Sequence, residues 1–214
     1  MRACSCSETH ETRRVVLTGG PGAGKTAVLE LIRQSMCAHV RVLPEAASII
    51  FGGGFPRDGD PECRRAAQLA IYHVQRALEL TGTAHNAAIL LCDRGTVDGL
   101  AYWPGAAGDF WTSAGTTLEA ELRRYSAVIH LRTPTAVQGY NRQNPLRTES
   151  ASTAVRVDAA ILDAWAGHPR RHVVDSQDDF IDKAAMVLDL IRAELPECCS
   201  VHLEEKLAPS NGPP

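Results

Sequence analysis

The sequence predicts an α/β fold in which a parallel β-sheet is covered by helices on both faces. Two observations predict it. Short apolar runs of strand length alternate with longer stretches whose apolar residues recur at helical spacing. One of those runs, AAILLC at 87–92, is apolar throughout, as a strand buried on both faces must be. That alternation is the pattern of a crossover-connected parallel sheet.

Each element has its own reason. Residues 14–18 (RVVLT) form a short apolar run that ends in glycines, a first strand. Residues 24–36 follow with Ala27, Val28, Leu31 and Ile32 on one helical face. Residues 40–43 are a second strand closed by Pro44, and 46–51 a short helix. Residues 52–61 (GGGFPRDGDP) are rich in Gly and Pro and read as an irregular loop. A long helix is expected over 62–80, with Ala66, Leu69, Ala70, His73, Val74, Ala77 and Leu78 inward. The third strand is 87–92. Helix is expected at 97–103, loop at 105–115 and helix at 117–124. SAVIHL at 126–131 is a fourth strand, 148–165 a helix and 171–174 a fifth strand. An amphipathic helix over 178–195 stops at Pro196. The chain therefore divides into a flexible arm (1–13), one domain (14–195) and a flexible polar tail (196–214).

Composition excludes several classes. The 214 residues carry 22 Lys+Arg against 25 Asp+Glu, a formal net charge of −3, which argues against a chain-wide nucleic-acid surface. No apolar run approaches the ~20 residues of a membrane helix, and the polar N-terminus MRACSCSETHETRR is no secretory signal. The seven cysteines are an odd count and read as reduced thiols of a cytoplasmic protein. Cys4 with Cys6, and Cys198 with Cys199, lack the CxxC spacing of a zinc site. Oligomeric state stays open, a homodimer included.

The strongest motif is Gly19-Gly20-Pro21-Gly22-Ala23-Gly24-Lys25-Thr26, which fits G-x-x-x-x-G-K-[ST]. The glycines let backbone N–H groups from Gly20 to Ala27 curl around a phosphate without Cβ clashes, and the following helix adds its positive end. Lys25 can reach the β- and γ-phosphates, and the Thr26 hydroxyl is placed to ligate Mg²⁺. Asp93, just after the third strand, is a second Mg²⁺ ligand in the expected place, and Arg94 beside it can bind a phosphate. A surface Asp–Arg pair is the alternative. Glu45, after the second strand, either takes the proton of an acceptor hydroxyl or caps the helix at 46–51. The stretch 132–148 carries Arg132, Arg142 and Arg147 and no acid. It reads as a lid, over about 132–150, that closes cations on the phosphates. Tyr102 and Trp103 either stack on a ring or pack on the core. His130 reads as a satisfied core histidine, and Trp165 as a packing residue.

Together LTGGPGAGKT, VLPEAA, LCDRGTVDGLAYWP and YNRQNPLRTES resemble the P-loop nucleoside-kinase-like group, and within it the predicted ATPase family related to the ribosylnicotinamide kinase domain. The resemblance runs from about residue 15 to 195. It implies a three-layer α/β/α fold on a five-stranded parallel sheet. It also implies ATP, with GTP as the alternative, and Mg²⁺ as cofactors, and a small-molecule acceptor such as a nucleoside-like compound. By the same resemblance Glu45 is the general base, Asp93 and Arg94 the acid–arginine pair, and Arg142 and Arg147 the lid arginines. Gln68 or Gln75 matches the glutamine that reads a base. A branch of this family binds GTP and acts in lipid-associated trafficking, which leaves a regulatory NTPase as the second reading. No N-K-x-D motif and no L-S-G-G-Q segment occurs, so neither a Ras-like GTPase nor a transporter ATPase is expected.

Overall fold

The computed structural model describes residues 6, 8–83, 86–134, 151–176 and 180–199. Five strands, β1 (Arg13–Thr18), β2 (Val40–Leu43), β3 (Ile89–Asp93), β4 (Ala127–Leu131) and β5 (Arg171–Val174), form one sheet in the order β2-β3-β1-β4-β5. Every pairing is parallel, with Val15 opposite both Leu91 and Ala127. The three central strands are the most apolar because both of their faces are covered. Val15, Val16, Leu17 and Ile89 to Cys92 are fully buried.

Each face has its own core. On one face Val15, Leu17, Ile89, Leu91 and Ile129 pack on α1 (Lys25–Ser35) and α7 (Phe180–Arg192). On the other Val16, Leu90, Cys92 and Val128 meet Tyr72, Phe110, Ile161 and Trp165. The first three come from α3 (Pro61–Thr83), α4 (Ala107–Ala114) and α6 (Ala151–Ala164), and Trp165 directly follows α6. Two shorter helices, α2 (Ala46–Gly52) and α5 (Leu118–Leu122), complete the layers. No helix among the described residues is long and apolar enough to cross a membrane.

The structure corrects the expected elements in three places. The segment 105–115, expected as loop, contains α4, because Phe110 and Trp111 bury against the sheet side of a helix that Gly115 closes in the left-handed conformation. The helix expected at 97–103 is present as a 3-10 helix over Thr96–Tyr102. The inward face of α3 is only partly the expected apolar one, with Leu69 and Leu78 packed against the core. Ala66, His73 and Ala77 are exposed, while Ala67, Gln68, Tyr72, Gln75 and Glu79 are buried. This helix starts one residue earlier than expected. Asp60 accepts hydrogen bonds from the backbone N–H of Glu62 (2.9 Å) and Cys63 (3.2 Å), and Pro61 takes the first helical position.

Candidate active site

All five strands point their C-terminal ends at one pole, where ligands bind in open parallel sheets. The loop from Gly19 to Gly24 leaves β1 there and opens α1. Its glycines are required by contact. A Cβ on Gly19 (φ +131°) would lie 2.0 Å from the Leu131 carbonyl oxygen, and one on Gly20 would lie 2.4 Å from Thr133 Oγ1. Lys25 folds back over the loop, its Nζ donating to the carbonyls of Gly19 and Gly20, each at 2.9 Å. Burial, then the Arg94 charge, pulls its pKa down to about 7 against the opposing pull of Asp93, Glu45 and Asp98.

Asp93 ends β3. Burial, then repulsion from Glu45, pushes its carboxyl up to about 6. Its Oδ1 is buried and accepts no hydrogen bond. An orphaned carboxylate oxygen at this strand end fits a divalent cation, which takes oxygen donors of this kind.

Arg94 stands in the left-handed region (φ +70°), its N–H donating to the Leu17 carbonyl at 3.1 Å. That conformation is sparsely populated for a non-glycine residue and is held by the neighbouring strand. It aims the guanidinium at Glu45, with Nε to Oε1 at 2.7 Å, and at Asp98, 3.6 Å away. Burial opposes the Arg94 charge, but Tyr102, Glu45 and Asp98 outweigh it and push its pKa up. Burial alone would raise Glu45. The Arg94 charge and the hydrogen bonds from Ser48 and Arg94 outweigh it and hold the carboxyl below its ordinary value. Asp98 is fixed in turn by the Thr18 hydroxyl and by the Gly95 N–H at 2.7 Å.

A cavity of about 740 Å³ opens beside these groups. Thr26, Glu45 and Arg94 line one side, and Gln68, Gln75 and Tyr102 another. Both glutamines named in the sequence reading thus face it, Gln75 with its amide donating to Glu79 at 2.9 Å. Tyr102 stands with its ring 5.9 Å from the Arg94 guanidinium, whereas Trp103 packs into the core. Arg142 and Arg147, with most of the expected lid, lie outside the described residues.

Two residues that hold the loop escaped the sequence reading. Asp158, on α6, accepts from the Gly20 N–H at 3.0 Å and the Thr133 N–H at 3.2 Å, and pairs with His130 and Arg132. His130 is a core histidine as expected but is only half satisfied, its Nε2 pairing with Asp158 while its buried Nδ1 has no hydrogen-bond partner. Lys183, on α7, donates to the carbonyls of Ala23 (3.0 Å) and Arg132 (2.8 Å). Both sit in ordinary amphipathic helices, and only their inward-facing positions among apolar neighbours signalled them.

A family model described as AAA domain matches residues 14–183. The chain belongs to that family. It is a P-loop nucleoside-kinase-like NTPase in fold and phosphate loop. The thymidylate kinase of Candida albicans superposes with a TM-score of 0.60 at 11% identity, over 85% of this chain and 92% of that one. The thymidylate kinase of Ehrlichia chaffeensis superposes with a TM-score of 0.55 at 15% identity, over 86% and 99%. No curated protein matches the chain in sequence.

Proposed function

We propose that this protein transfers the γ-phosphoryl group of ATP, or of GTP, to a small-molecule acceptor of nucleoside-like size. The observation that carries the reading is that one cavity is lined both by Pro21 and Thr26 of the phosphate loop and by Glu45 and Arg94. The loop with Lys25 and Thr26 opens directly into the cavity beside Glu45 and Arg94, with room for a second substrate. The thymidylate kinase neighbours support a kinase-like reading at the level of fold.

The roles follow from position. Backbone N–H groups from Gly20 to Ala27 cradle the phosphates, and Lys25 turns from its loop carbonyls to the β- and γ-oxygens. Thr26 and Asp93 would hold Mg²⁺, which supplies charge neutralisation between the phosphates. Glu45 accepts a hydrogen bond from the acceptor. Where the acceptor is a hydroxyl, Glu45 takes the proton as the new P–O bond forms and the bond to the departing nucleoside diphosphate breaks. Arg94 faces the charge that moves between them, joined by Arg142 and Arg147 if the stretch 132–150 closes as a lid. Gln68 and Tyr102 contact the acceptor.

The test is ATP and GTP consumption with Mg²⁺, with and without a panel of nucleosides and nucleoside monophosphates. Acceptor-dependent turnover, lost in Lys25→Ala and slowed about a hundredfold in Glu45→Gln with unchanged ATP affinity, supports the reading. Slow hydrolysis indifferent to every acceptor overturns it in favour of a regulatory NTPase.

A further inference from the structure

At the pole opposite the phosphate loop, three distant chain segments bring thiols and imidazoles together. Cys6 and His10 come from the N-terminal segment, Cys37 and His39 from the turn before β2, and Cys198 and Cys199 from the segment after α7. The placement is built rather than incidental. The His10 N–H donates to Asn86 Oδ1 at 3.0 Å, Asn86 donates to the Glu8 carbonyl at 2.9 Å, and Thr12 Oγ1 donates to the Ala87 carbonyl at 2.8 Å. These bonds pin the incoming chain beside β3. After α7, the Cys199 N–H donates to the Pro196 carbonyl at 2.9 Å, and the Cys199 side chain is fully buried.

The donor atoms converge. The Cys199 Sγ lies 3.2 Å from His39 Nδ1, the Cys198 Sγ lies 3.8 Å from His10 Nε2, and the two sulfurs are 3.9 Å apart. The ligand atoms of His10, His39 and Cys199 all lie within 4.8 Å of one another. The two imidazoles meet edge to face with ring centroids 4.6 Å apart. A tetrahedral zinc ion, with bonds of about 2.3 Å to sulfur and about 2.0 Å to nitrogen, spaces its donors by roughly 3.3–3.8 Å. His10, His39 and Cys199 form one cluster and Cys6, His10 and Cys198 a second that shares His10, so one ion takes Cys198 as its fourth donor from the neighbouring cluster by side-chain rotation.

We propose that His10, His39, Cys198 and Cys199 form a structural Cys₂His₂ site for Zn²⁺. The ion replaces the protons of the two thiols, which leave to solvent, and no oxidation state changes. Cys6, 3.8 Å from His10 Nε2, and Cys37, 3.9 Å from His39 Nδ1, flank the set as alternates. Four protein donors leave no open position, so the site is structural rather than catalytic. It joins the segments on either side of the domain to the edge of the sheet. Sequence spacing hid it, because each adjacent pair of donors supplies only part of the set.

The experiment is metal analysis of the full chain purified under reducing conditions, followed by Zn²⁺ and Co²⁺ titration. About one zinc per chain and the visible absorption of tetrahedral, thiolate-bound Co²⁺ are expected. His10→Ala and Cys199→Ser are each expected to weaken zinc binding at least about a hundredfold, and Cys63→Ser to leave it unchanged. Far-ultraviolet circular dichroism and the cooperativity of thermal unfolding report that each variant is folded. Should Cys199→Ser fail that control, the half-buried His10 decides through His10→Ala. Substoichiometric zinc, equal affinity in the folded variants, or a mass two hydrogens lower from a disulfide among these cysteines overturns the proposal. The readout does not depend on kinase activity, so the two readings stand or fall separately.

Discussion

Two carboxylate clusters in this molecule are built from the same residue types and do opposite things. Around Glu121 and Glu79, under α3 and α5, every carboxylate oxygen is paired. Glu121 takes bonds from Tyr72, Thr96, Arg76 and Arg124, and Glu79 from Gln75, Tyr125 and Arg124. Around Asp93, at the phosphate pole, one buried oxygen has no hydrogen-bond partner and the carboxyl is pushed up to about 6. In Glu121 the balance runs the other way. Burial is outweighed by the bonds from Thr96 and Arg124, and its pKa is lowered. A buried acid whose partners are all supplied by the chain is held in place, and one left short of them is a candidate ligand site.

The contrast can be broken in four ways. The largest expected effect is from Lys25→Ala, which is expected to cut phosphoryl transfer at least about 10⁴-fold, roughly 5 kcal/mol, with the fold intact by circular dichroism. Steady-state kinetics check it, and unaltered turnover would remove the phosphate pole from the chemistry. Glu121→Ala is expected to cost about 3–5 kcal/mol in urea unfolding, because it leaves the buried Tyr72 and Thr96 hydroxyls without their acceptor and removes one of the two carboxylates that pair Arg124. A loss below about 1 kcal/mol would erase the distinction between the clusters.

Asp93→Asn is expected to do the reverse and stabilise the ligand-free protein, by about 2 kcal/mol at pH 7. The sign follows from the direction of the shift. An acid raised in the folded state gives its full stability below pH 3.8 and loses it as pH climbs toward 6. Glu121, lowered when folded, gives its full stability above pH 4.5 and loses it on acidification below that. Thermal unfolding across pH 3–8 should therefore show both variants departing from the parent towards neutral pH, Asp93→Asn upward and Glu121→Ala downward, with both differences narrowing towards pH 3. The same Asp93→Asn change is expected to abolish stabilisation by Mg²⁺ with nucleotide. The smallest effect expected is from Gln68→Ala, a rise of about tenfold in the acceptor KM with the ATP KM unchanged. An altered ATP KM instead would place Gln68 outside the acceptor side.

Local signals made most of the fold legible. The five strands were readable because a strand buried on both faces has almost no freedom but to be apolar, as in β3 and β4. The segment 105–115 was not, because Gly105, Gly108 and Gly115 mimic a loop while Phe110 and Trp111 supply a helix with tertiary burial. Reading α3 by hydrophobicity found Leu69 and Leu78 but missed the rest of its inward face for a related reason. Its inward residues Gln68, Gln75 and Glu79 line a cavity and an ion-pair network, so burial there selects hydrogen-bonding groups and not apolar ones.

By itself the sequence determined the phosphate loop, the strand-end Asp93–Arg94 pair and the order of the elements. Each of these is written in contiguous residues whose backbone needs are local. Only the tertiary structure decided that Asp158 and Lys183 hold that loop and that Arg94 points at Glu45. It alone placed His10, His39, Cys198 and Cys199 together. Those contacts join residues up to 189 positions apart, and chain closure over such distances leaves no trace in the spacing of neighbours.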